Sequence, residues 1–216
     1  MFWLLWRNAK VKPEKSEVEK YITDVACYWI KECDIDGWRL DVGDEISHFF
    51  WKNFRKAVKA VKKDLLIIGE IWHYAGDFLE GDEWDTVMNY PFYLNLIDLL
   101  ADEKITVSQF VQNLGYLKGR LNKNCYPLMW NLIDSHDTAR FLHLCNDNKK
   151  KQHLAAAFQL LLPGMPMIYY GDEYAMPGAN DPDCRRGMYW DEEYQDKEMY
   201  EWYKRLIQVR KSMHAL

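Results

Sequence analysis

"DIDGWRLDVGDE", residues 34–45, decides the fold. Trp38, Leu40 and Val42 alternate with Arg39 and Asp41. In an extended chain successive side chains point to opposite faces, so the two charges share one face and the apolar residues the other. The segment reads as a strand that ends near Val42 and carries Arg39 and Asp41 at its C-terminal end. An ion left buried and unpaired is strongly destabilising. Charges in a stretch patterned for burial therefore have to serve each other, or chemistry.

Working outward, Ser16 and Glu19 stand at capping-box spacing. Val18, Ile22, Val25, Trp29, Ile30 and Cys33 then keep a helical period, which predicts a helix over 16–33. On the other side, Phe50, Phe54, Ala57, Val58 and Val61 line one face of a second helix. "LLIIGEIW", 65–72, is a continuous apolar run, as expected of a strand buried on both faces. "DTVMNY", 85–90, is a shorter version. Helical segments are expected over 91–102 and 106–120, then a strand in "PLMWNLID", 127–134. Leu154, Ala157, Phe158, Leu161 and Leu162 mark a helix, and "GMPMIYYGDE", 164–173, holds a fifth strand. A polar stretch from Met176 to Asp196 reads as a loop, and Met199, Trp202, Leu206, Val209 and Met213 mark a closing amphipathic helix. Five strands alternating with helices predict an α/β fold with a parallel sheet and helices outside it.

The chain has 216 residues, 49% of them hydrophobic, which argues a globular fold. Aromatics reach 15%, including ten Trp and fourteen Tyr. That excess suits flat apolar ligand faces such as sugars, or simply an aromatic core. A net charge of −5 gives no electrostatic reason to expect nucleic acid. The five Cys, at 27, 33, 125, 145 and 184, lack CxxC or Cys/His metal spacing. They read as free thiols in a reducing compartment. "MFWLLWR" is too short for a signal-peptide core, and no stretch approaches a membrane span. A cytoplasmic address without membrane attachment is expected.

Each strand runs into polar residues at its C-terminal end: Arg39 and Asp41; Glu70, then Trp72 and His73; Asn89 and Tyr90; Asp134, His136 and Asp137; Asp172 and Glu173. In parallel α/β folds that edge is where active sites form. Arg39 and Asp41 can pair, and a neighbouring guanidinium favours an ionised carboxylate, the form a nucleophile needs. Glu70 follows an apolar run, where desolvation would keep it protonated. Two carboxyls with proton affinities pushed apart are what glycosidic bond cleavage requires.

"DGWRLDV", "IIGEIW" and "NLIDSHDTARF" closely resemble three successive motifs of the α-amylase superfamily of glycoside hydrolases. "WDTVMNYPF" and "GMPMIYYGDEYAMPGANDPDCRRGMYWD" resemble its neopullulanase, cyclomaltodextrinase and maltogenic amylase branch. The resemblance runs from about Ser16 to Leu216. It implies a nucleophile at Asp41, a general acid and base at Glu70, and a third, transition-state-stabilising carboxylate at Asp137. It implies substrate contacts from Arg39 and His136, acceptor-side contacts from Trp72 and His73, and a donor-side pair in Asp181 and Arg185. It further implies a (β/α)8 TIM barrel, of which this chain (residues 1–216) would supply strands four to eight. The N-terminal domain, the first three strands and the C-terminal β-domain of that branch are not in the sequence. "NAKVK", 8–12, resembles a degraded form of another family motif.

The implied activity is retaining hydrolysis of α-glucosidic bonds in maltodextrins, cyclodextrins or pullulan, with the two reacting carboxyls roughly 5–5.5 Å apart. The alternatives are a catalytically impaired fragment and a non-hydrolytic α-glucan-binding protein. The family's non-enzymatic transporter subunits have generally lost catalytic carboxylates, whereas this chain keeps all three. No redox or organic cofactor is implied. A structural calcium occurs in the family, but no ligand set for one is evident. Asp34, Asp36 and Glu45 imitate positions of an EF-hand loop, yet Trp38 and Arg39 stand where it needs an oxygen ligand and glycine. His136–Asp137 follows a strand, unlike the helical ligands of HD-type phosphohydrolases. Five parallel strands cannot close a barrel, so a homo-oligomer covering the open side is expected.

Overall fold

A computed structural model describes residues 15–213. The fold is α/β, with every paired strand parallel. The chain divides into two compact units, residues 1–71 with 75–87 and residues 72–74 with 88–216.

In the first unit, α1 (Ser16–Cys33) leads into β1 (Gly37–Leu40), α2 (His48–Val61), β2 (Leu66–Gly69) and β3 (Thr86–Val87). The sheet order is β1-β2-β3, with Gly37 opposite Leu66 and Leu40 opposite Gly69. Helix α2 buries the face foreseen from its apolar spacing, Phe50, Phe54 and Val58, together with Trp51. The Trp84 ring lies at the centre of this core. It stacks on Phe78 at 4.1 Å between centroids and meets Trp51 edge-on at 5.9 Å. A Cβ on Gly69 would come within 2.2 Å of that ring, and one on Gly43 within 2.7 Å. Glycine at 69 is thus what lets Trp84 close over β2 directly before Glu70. Gly69→Ala is expected to destabilise the fold by about 1–3 kcal/mol through overpacking, measured by urea unfolding.

The second unit contains α3 (Tyr90–Leu96), α4 (Val107–Arg120), β4 (Trp130–Asn131), α5 (Phe141–Leu144), α6 (Lys149–Leu161), β5 (Met165–Pro166) and α7 (Lys197–Ser212). Strand β4 pairs with β5, and Met88 bridges to Trp130. Two apolar clusters hold the unit together. Phe92, Leu96, Phe110, Ile133 and Phe141 form one, and Leu142, Leu160, Met199, Tyr203 and Leu206 the other.

Several local expectations are corrected. The capping box at Ser16 does not form: Lys15 is the N-cap, and its carbonyl accepts from Val18 and Glu19 N–H. Glu19 instead accepts from Asn53 Nδ2 at 2.7 Å. The strand does not reach Val42. It stops at Leu40, and Val42 turns into the left-handed region at φ 44°, where it is exposed. The expected 91–102 helix is α-helical only to Leu96 and continues as a π-turn over Ile97–Ala101. The third, fourth and fifth strands shrink to two residues each, because the chain leaves its hydrogen-bonded partner sooner than its apolar run ends. Asp34 and Asp36 both bind Lys62 Nζ at 3.0 Å, so the imitation of a calcium loop resolves into ion pairs. The "NAKVK" motif and His214 lie outside the described residues.

Candidate active site

Arg39, on β1, places one guanidinium between two carboxylates. Its Nη1 donates to Asp41 Oδ1, and its Nη2 lies 2.7 Å from Glu70 Oε1. The Arg39–Asp41 pair was legible from their shared strand face. The Arg39–Glu70 pair was not, because it depends on the parallel register that sets Arg39 opposite Ile68 and Leu40 opposite Gly69. Past the end of that pairing, Glu70 N–H donates to Leu40 O at 3.0 Å and Gly43 N–H to Glu70 O at 3.1 Å.

The two carboxylates differ sharply in surroundings. Asp41 is 75% exposed, whereas the Glu70 side chain is 3% exposed. Glu70 Oε2 accepts from Val42 N–H at 3.0 Å. That bond gives the Val42 conformation a purpose. A β-branched residue at positive φ is strained, and such strain persists where surrounding structure enforces it. Asp41, expected on a strand face, sits instead on the turn beyond it, at a solvent-facing position beside its arginine.

Glu83 is a second buried carboxylate of this unit. His48 Nδ1 contacts both its oxygens at 2.9 Å, and the His48 ring stacks on Phe78 at 4.4 Å. Burial pushes the Glu83 carboxyl up from its ordinary range, while His48 opposes that shift. His48 is therefore the partner of a buried acid.

In the second unit, His136, Asp137, Asp181 and Arg185 form one connected group. His136 Nε2 lies 3.1 Å from Asp137 Oδ2. Arg185 Nη2 donates to Asp137 Oδ1 at 3.1 Å, and its Nε donates to His136 O at 2.9 Å and lies 2.7 Å from Asp181 Oδ1. Each of these side chains is partly exposed. The Asp181–Arg185 pair foreseen on the 176–196 loop is thus formed, but it also grips the aspartate that follows β4. Trp72 is 42% exposed and stacks on Tyr90 at 4.0 Å, nearly parallel at 16°. An exposed aromatic face braced by a second ring is a ready platform for a flat apolar ligand surface. His73 is exposed.

The family model for the alpha amylase catalytic domain matches residues 4–195. The chain belongs to the alpha-amylase family. It is 48% identical to a cyclomaltodextrinase of Thermoanaerobacter pseudethanolicus across 98% of this chain and 37% of that protein. It is 45% identical to neopullulanase 2 of Thermoactinomyces vulgaris across 96% of this chain and 35% of that one. A solved cyclomaltodextrinase superimposes with a TM-score of 0.93 at 42% identity, covering 95% of this alpha-amylase chain and 35% of its own. The chain thus spans little more than a third of the length of these relatives. Among its described residues no helix is long and apolar enough to cross a membrane, and no group of three or more His, Cys, Asp or Glu is placed to hold a metal ion.

Proposed function

We propose that this chain carries the chemistry of a retaining α-glycosidase acting on maltodextrins, cyclodextrins or pullulan. The observation that carries the reading is one guanidinium shared by an exposed and a buried carboxylate. Retaining cleavage needs two carboxyls about 5–5.5 Å apart, one attacking and one delivering a proton. A single guanidinium bridging Asp41 and Glu70 supports so close an approach. Asp41, open to solvent, attacks the anomeric carbon and displaces the leaving sugar. Glu70 protonates that leaving oxygen, then takes a proton from the water that releases the glycosyl group. Arg39 holds both carboxylates in register. From the family pattern, Asp137 is the third carboxylate, His136 bonds the sugar, Asp181 and Arg185 act on the donor side, and Trp72 and His73 on the acceptor side. No cofactor enters this scheme.

In this reading the five strands are the fourth to eighth of a (β/α)8 barrel, and the chain is part of that catalytic domain. The reading is supported by similarity to a cyclomaltodextrinase and a neopullulanase. The five cysteines are all free thiols, which supports a reducing, cytoplasmic setting.

Incubation with a chromogenic α-maltoside tests the reaction. Release of the chromophore is expected, with the α-anomer of the sugar product seen first by proton NMR. First appearance of the β-anomer overturns retention. No release at any enzyme concentration favours the impaired or purely sugar-binding alternative. We also propose that copies of the chain associate. Strand β5 pairs only with β4 among the described residues, and Met165 on it is 48% exposed. Unpaired strand edges and exposed apolar side chains favour association. Light scattering is expected to give a mass of at least two chains, and a monomer at high concentration would refute this.

A further inference from the structure

Arg140 is 1% exposed, and so is Asp172; Asp134 is also 1% exposed. None of the three has a part in the scheme above. Arg140 Nη1 lies 3.2 Å from Asp172 Oδ1. Phe141 N–H donates to Asp134 Oδ2 at 2.7 Å, and the Asp134 and Asp172 carboxyls act on one another electrostatically. Asp134 Oδ1 and Asp172 Oδ2 have no hydrogen-bond donor among the described residues. Two carboxylates against one guanidinium would leave a net negative charge out of water, which is costly. One proton held between those two oxygens makes the cluster neutral.

The same guanidinium is tied to the loop that carries Asp181 and Arg185. Arg140 Nε donates to Cys184 O at 3.1 Å and Nη1 to Tyr170 O at 2.6 Å, and Arg140 N–H donates to Gly178 O at 2.9 Å. Its plane lies over the Tyr169 ring at 3.9 Å. One residue further along, Arg185 binds His136 O and Asp137. A planar guanidinium holds two carbonyls and a carboxylate with its donors in fixed relative directions, whereas a lysine ammonium rotates and fixes no such directions.

We propose that Arg140 is a positioning residue, held neutral overall by a proton shared between Asp134 and Asp172, that fixes the 178–185 loop so that Arg185 grips Asp137. This deepens the glycosidase reading, since it assigns what orders the donor-side pair, but its test does not use turnover. Burial pushes the Asp134 carboxyl up to about 6 and Asp172 well above the ordinary carboxylate range, with Arg140 opposing both shifts. The groups facing the pair are Arg140, Tyr93, Tyr203 and Gln152, whose Nε2 donates to Asp172 O; Glu173 acts on Tyr203. The folded chain therefore keeps protons that the unfolded chain releases near pH 4. The stability they confer is complete below about pH 4, falls as pH rises through 6, and goes on falling until Asp172 releases its proton.

The test follows the Arg185 Nε–H resonance and amide exchange of residues 178–185 in the full chain. In Arg140→Lys the Arg185 Nε–H signal is expected to exchange at least about tenfold faster, with the 178–185 amides, while α4 amides keep their protection. An unchanged Arg185 signal in a folded Arg140→Lys protein overturns the proposal. Where that variant loses α4 protection as well, Asp172→Asn decides. Its amide can donate to Asp134 and its oxygen can accept from Arg140, so the loop stays protected. Its loss of loop protection with rising pH disappears if the shared proton is the cause. A pH-dependent loss equal to wild type in Asp172→Asn overturns the proposal.

Discussion

Asp41→Asn is expected to lower turnover of an α-maltoside by on the order of 10⁴-fold or more, the scale seen when one member of a concerted catalytic group is removed. The amide oxygen is a poor nucleophile, and among the described residues Asp41 is the exposed carboxylate paired with Arg39. Asp41 is 75% exposed, so the substitution is expected to change stability by no more than about 0.5 kcal/mol. Folding and chemistry thereby separate: an inactive variant with wild-type urea midpoint is the predicted result. Glu70→Gln has a different signature. Loss of a general acid costs about 10²–10⁴-fold, but only where the leaving group needs a proton. With a dinitrophenyl α-maltoside the first step should be nearly unaffected, and a burst of dinitrophenolate should precede slow release of sugar. Equal losses for both substrates would remove Glu70 from its assigned role.

Arg39→Met is expected to destabilise the protein by about 1–3 kcal/mol, the usual cost of removing a hydrogen-bonding partner from a buried polar group. The cost arises at Glu70. Its side chain is 3% exposed, and Arg39 lies 2.7 Å from it. Val42 N–H still donates to Glu70 Oε2 in the variant, so the loss is partial. Asp41 needs no such help, because water reaches it. The double variant Arg39→Met, Glu70→Gln should recover most of the loss, since the amide at 70 no longer calls for the guanidinium. Urea unfolding of the four-member cycle measures the coupling. Additive losses in the double variant would mean that the guanidinium acts through packing rather than charge.

The apolar runs and helical spacings were enough to set out five strands and the helices between them. Burial is read from periodicity, and periodicity is local: Phe50, Phe54 and Val58 fall on one face of α2 whatever lies opposite. Boundaries were less legible. A strand ends where its partner stops donating hydrogen bonds, so "PLMWNLID" contributes only Trp130 and Asn131 to β4. The capping box failed for a similar reason, since Glu19 is drawn to Asn53 on another helix.

The sequence by itself determined which residue types stand at the strand ends and that Arg39 and Asp41 are near enough to pair, because two positions along one chain are always close. Only the tertiary structure decided that Glu70 joins the same guanidinium, that Arg185 reaches Asp137, and that Asp134, Asp172 and Arg140 share one buried cluster. The first two pairs are separated by 31 and 48 positions, and Asp172 by 32 and 38 from Arg140 and Asp134. Their meeting depends on parallel register and on packing against side chains such as Trp84 and Tyr203. No residue carries that information locally, whereas the proton balance and strength of every ion pair follow from it.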